Sequence, residues 1–128
     1  MHVDHEPWRR FAAGELGLGH RGHLRLTWEV LREHDAFEAL PVMAHHLRAL
    51  AAAHGMPDKY HATLTGLWML VVQERMQRGP SDDFEAFLVA NEDLLDSRAL
   101  PGRYYRPQTL QTDLARRIFV LPDLTPTS

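Results

Sequence analysis

Tyr60-His61-Ala62-Thr63-Leu64-Thr65-Gly66-Leu67-Trp68-Met69-Leu70-Val71-Val72-Gln73-Glu74-Arg75-Met76-Gln77-Arg78 is the stretch that decides the fold. Leu64, Leu67, Trp68, Val71 and Val72 recur at the spacing of one helix face, whereas a half-buried strand would alternate with a period of two. Arg75 and Arg78 stand near the end, where a helix favours positive charge, and Gly79-Pro80 stops the segment. The spacing predicts a helix with one buried face and His61 at its start, on a stripe with Thr65 and Trp68.

Working outward, the same period recurs on both sides. Downstream, Ser81 or Asp82 is an N-cap candidate for a helix burying Phe84, Phe87, Leu88 and Leu94-Leu95 and ending before Pro101-Gly102. A polar aromatic stretch, Arg103 to Pro107, leads to a last short helix over Thr109 to Phe119. Upstream, Asp35 caps a segment reaching His54 and Gly55, with Phe37, Leu40, Met43, Leu47 and Leu50 inward and Pro41 expected to kink or split it. Before it, His20 to His34 carries Leu24, Trp28 and Leu31 on one stripe. A first short helix spans Glu6 to Leu16, broken by Gly14 and Gly17-Leu18-Gly19. No strand pattern competes with these. The expectation is an all-α, compact single-domain bundle of about five to six helices over residues 1–128, with 1–5 and 125–128 frayed.

Composition sets limits on function. At 128 residues the chain has room for one core. Hydrophobic residues at 45% and charged residues at 24% place it among folded globular proteins. Its longest apolar run, Leu67 to Val72, is far short of the roughly twenty residues of a membrane span. The start, Met1-His2-Val3-Asp4-His5-Glu6, lacks the pattern of a secretion signal, so cytoplasmic residence is the expectation. With no cysteine, disulfides, iron-sulfur clusters and thiolate chemistry are excluded. A formal charge of -3 argues against a nucleic-acid surface.

All nine histidines lie between His2 and His61. His20 and His23 share a helix face at i, i+3. Helix starts separated by one antiparallel neighbour lie at the same end of a bundle, so His61 can join them. Three imidazoles form a recurrent site for zinc, copper, iron or nickel that leaves one position open. The candidate metal ligands are therefore His20, His23 and His61. Tyr60, Thr65 and Tyr105 are candidate catalytic groups, the phenols as acids or hydrogen-bond donors. Each has a structural counterpart: the histidines as hydrogen-bonding caps, the tyrosines as core rings with their hydroxyls at the rim, Thr65 bonded back to its own helix. His45 and His46, adjacent on a helix, diverge and do not chelate as a pair. His54 suits a helix C-terminus. Other catalytic templates fail: there is no G-x-S-x-G elbow, no phosphate loop with its lysine and no H-E-x-x-H helix.

With these residues in view, the chain resembles a family of small bacterial proteins that share three segments. These are His20-Arg21-Gly22-His23-Leu24, then Gly55 with Tyr60-His61-Ala62-Thr63-Leu64-Thr65, and a closing set of Tyr104-Tyr105, Leu110, Ala115-Arg116, Phe119-Val120 and Pro122-Asp123. The likeness runs from Phe11 to Leu124. It implies a compact helical domain in which His20, His23 and His61 belong to the shared pattern and His45 and His46 do not. Where members commonly carry an acidic residue this chain has Ala62, so no role for that carboxylate carries over. The resemblance brings no reaction with it.

The leading expectation is thus a small metal-dependent enzyme acting on a small molecule, with one divalent ion on His20, His23 and His61 beneath a pocket edged by Tyr60, Thr65 and one of the C-terminal tyrosines. The alternatives are a non-enzymatic helical module that binds a ligand or partner, its histidines structural, and metal-free acid-base chemistry by His61 or His23 with a tyrosine. A homodimer is left open.

Overall fold

The structure is a computed structural model that describes residues 5–17 and 19–124. The expected fraying of 1–5 and 125–128 falls outside the described residues, His5 excepted. Among the described residues seven α-helices follow one another: α1 (Glu6–Ala12), α2 (Gly19–Leu31), α3 (Ala36–Ala53), α4 (Ala62–Arg78), α5 (Phe84–Ala90), α6 (Pro107–Leu110) and α7 (Asp113–Arg117). Short 3₁₀ turns at Pro57–Lys59, Glu92–Leu95 and Pro101–Arg103 connect them, and no strand occurs among the described residues. The protein is all-α, as its apolar spacing implies.

Local signals set the helix boundaries. Asp35 accepts the Glu38 backbone N–H at 2.9 Å and starts α3. Asp83, one residue past the expected caps, accepts that of Ala86 at 2.8 Å and starts α5. Pro41 does not split α3. Both Pro41 and Phe37, whose carbonyl the proline ring leaves without a donor, are exposed, so water can serve that oxygen. The segment after α5 breaks earlier than its apolar residues suggested, because Asn91 and the turn Glu92–Leu95 intervene. The expected last helix divides into α6 and α7, with Thr112 capping the second by accepting the Ala115 N–H at 3.1 Å.

α4 is the hub. It packs on α2, α3 and α7, and burying Leu67, Met69 and Val72 contributes roughly 1.5–3 kcal/mol for each side chain. Buried side chains from Trp8 through Leu24, Leu26, Trp28, Met43, Met69 and Phe87 to Leu100 form one cluster. Two glycines permit close approach: a Cβ on Gly22 would collide with the Gly17 carbonyl, and one on Gly66 would overlap the Phe119 ring.

The C-terminal third buries Leu94, Leu100 and Tyr105 and is also held by polar links. Thr63, fully buried, shares its one hydroxyl proton between the carbonyls of Ala115 (2.7 Å) and Ile118 (2.9 Å) and accepts the Val120 N–H (3.1 Å). Asp93 takes both arms of Arg75, at 2.9 and 2.6 Å, and one of Arg103 at 3.0 Å. These guanidinium bonds hold its carboxyl well below the usual carboxylate range.

Candidate functional site

α2, α3 and α4 do not close on one another completely. Between them lies a cavity of about 800 Å³, bordered also by the 3₁₀ turn before α4. Its floor is apolar: Leu24, Leu26, Met43, Leu47, Leu50, Leu64, Trp68 and Met69. Its polar margin holds His20, His23, His54, Lys59, Tyr60, His61 and Thr65. Five of the six candidate site residues therefore border one space, His20 and His23 from the start of α2, Tyr60, His61 and Thr65 from the start of α4.

Their ring nitrogens are differently committed. His61 is the N-cap of α4, and its Nδ1 accepts the Leu64 N–H at 3.1 Å. Its Nε2 lies 2.7 Å from the Leu110 carbonyl oxygen, which only accepts, so the proton resides on Nε2. Both nitrogens of His61 are thus spent on backbone, and the ring ties α4 to the end of α6. His20 is anchored in a parallel way: Nε2 donates to Leu94 O at 2.7 Å, and the ring leans on Trp68 with centroids 4.6 Å apart. This leaves its Nδ1 lone pair without a protein partner.

The His23 ring makes no hydrogen bond among the described residues, although the His23 carbonyl accepts the Thr27 hydroxyl at 2.9 Å. The ring meets Phe11 edge-on at 4.9 Å and lines the cavity, with part of the residue open to solvent and part packed against protein. That burial, reinforced by the His20 ring and the Lys59 ammonium, holds its pKa below the ordinary histidine value.

Thr65 borders the cavity while donating its hydroxyl to the His61 carbonyl at 2.8 Å, so its oxygen keeps only accepting capacity. Tyr60 presents its ring beneath the Arg48 guanidinium, 4.8 Å from the ring centroid. Tyr105 is not brought to this space. It is fully buried under the C-terminal segment and donates its hydroxyl to Val120 O at 2.6 Å. An aromatic body in the core with its hydroxyl on a backbone carbonyl is its observed place, and burial raises the pKa of its phenol.

Among the described residues, no three His, Asp or Glu side chains are disposed to hold one metal ion. In the described arrangement His20 and His23 have free nitrogens to offer an ion, whereas His61 would have to release Leu64 or Leu110 first.

Two lining residues, Lys59 and His54, were not singled out as site residues from the sequence. The signal existed for His54: Met43, Leu47, Leu50, Ala51 and His54 follow one helical stripe. Lys59, the chain's single lysine, carried no spacing signal.

No protein-family model matches the chain, and no match is found among curated proteins or solved structures.

Proposed function

We propose that this chain is a helical domain that binds a small, largely apolar molecule in the cavity between α2, α3 and α4. One observation carries the reading: a space of about 800 Å³ with an apolar floor and a small set of convergent polar groups. That is the anatomy of a ligand site, in which apolar contact supplies affinity and a few polar atoms fix orientation. His20 and His61 act structurally in this reading, since each gives a nitrogen to a backbone carbonyl of the C-terminal half. Tyr60, Thr65 and His23 are left to face the ligand.

Titration with the neutral fluorophore N-phenyl-1-naphthylamine tests the proposal. Saturable binding at one site is expected in the parent and is lost in Ala51→Trp, which fills the cavity from α3, with unchanged melting. Absence of saturable binding to the parent, or undiminished binding to the variant, refutes it.

A second reading, the metal-dependent enzyme, is favoured by the free nitrogens of His20 and His23 at i, i+3 on the same margin. A divalent transition metal, whether zinc, copper, iron or nickel, would be held by these two and by His61 if that ring left its cap. Such an ion would serve as a Lewis acid toward a small-molecule substrate, with Tyr60 and Thr65 beside it. Elemental analysis of tag-free protein separates the readings: stoichiometric metal in the parent, lost in His23→Ala, supports the ion, and metal-free protein that binds the fluorophore supports the first.

A further inference from the structure

We infer that the ligand of this cavity is an anionic amphiphile, an apolar chain or ring system ending in a carboxylate or similar acid group. The inference rests on the small-molecule reading above and concerns which molecules the site selects. The chain carries 17 acidic residues against 14 lysines and arginines, yet not one carboxylate lines the cavity. The groups that do line it and can bear positive charge or donate a proton are His20, His23, His54, His61 and Lys59.

Three of these have no other task. The Lys59 ammonium makes no ion pair or hydrogen bond among the described residues, nor do the rings of His23 and His54. Arg48, stacked on Tyr60, adds a second cation behind the wall. Beside lining residue Ser97, Asp96 spends its Oδ1 on the N–H groups of Arg98 and Ala99, at 3.1 and 2.9 Å. The Asp96 charge also acts on the His20 ring, so His20 has a carboxylate neighbour, whereas among the described residues no carboxylate is hydrogen-bonded to Lys59 or His23.

A cationic ligand would meet Lys59 and no lining carboxylate, and a neutral one would leave Lys59 and His23 unused. An acid group at the margin would gain charge-assisted hydrogen bonds from Lys59 and His23, while its apolar body covered Leu24, Met43 and Met69.

Displacement of bound N-phenyl-1-naphthylamine by decanoate, decanol and decylamine, three molecules with the same tail, isolates the head group. Decanoate is expected to displace the probe at least about tenfold more tightly than decanol, the gain of one or two charged hydrogen bonds, with decylamine weakest. Lys59→Glu, an exposed position whose change does not disturb the core, should erase most of that preference, and His23→Ala part of it. Equal or better displacement by decanol or decylamine overturns the anionic assignment and leaves the cavity reading standing. A carboxylate preference unchanged in both variants overturns the assignment to these residues. Failure of all three to displace a bound probe overturns the inference, and failure of the probe itself to bind overturns the cavity reading beneath it.

Discussion

His61 and His23 look alike in the sequence and differ in what they hold. His61 satisfies one orphan amide at the start of α4 and one carbonyl 49 residues away, so His61→Ala removes two hydrogen bonds and leaves a part-buried carbonyl unserved. A loss of about 1–3 kcal/mol is expected in urea unfolding. His23→Ala removes no hydrogen bond and should cost only about 0.5 kcal/mol. A reversed order would contradict the structural role given to His61. A second residue-scale expectation concerns acid. His46 is stacked on Trp8 at 4.8 Å and bonded to His5 at 3.2 Å. Burial first, then the His5 and His45 rings, lowers its pKa from 6.5, as burial does for His23. A histidine whose folded pKa lies below its unfolded value binds fewer protons when folded, so its contribution is present above about pH 6.5 and is lost as pH falls toward the folded pKa. Urea midpoints should therefore decline between roughly pH 6.5 and 5, above the carboxylate range. His46→Phe, which keeps the stack on Trp8, should flatten part of the decline, and an identical slope in that variant would count against it.

At the level of elements, what could be read from sequence was what depends on neighbours within one or two turns. The period of α2, α3 and α4, the Asp35 cap, the Gly55 stop and the placement of His61 at a helix start follow from local chemistry. Pro41 does not split α3, because its tolerance depends on which face of α3 meets water. The C-terminal segments were least legible. Their position is fixed by carbonyls that bond to Thr63 over more than 50 residues and by Phe119 seated on Gly66, and no local pattern encodes such pairings. Gly66→Ala should force the Phe119 ring away, costing roughly 1–3 kcal/mol as an overpacked contact. Limited trypsin proteolysis should then cut after Arg103, Arg116 or Arg117 faster than in the parent. Unchanged cleavage in a destabilised variant would place the damage elsewhere.

For the whole molecule, the sequence pointed to a pocket at the histidine end, and five of the six candidate groups border one space, Tyr105 excepted, but its volume and apolar floor were not legible. Helical period shows which residues face inward but not whether three inward faces meet. Here α2, α3 and α4 leave room, and the histidines at two of their starts face it from the margin. No helix among the described residues is long and apolar enough to cross a membrane. The most direct measurement is the two-dimensional amide NMR spectrum of isotope-labelled protein titrated with N-phenyl-1-naphthylamine. A small-molecule site between α2, α3 and α4 predicts saturable shifts concentrated at His20, His23, Leu47, Ala51, Tyr60 and Trp68, with α5 and α7 unmoved. Shifts scattered over the surface, or centred on another face, would contradict it.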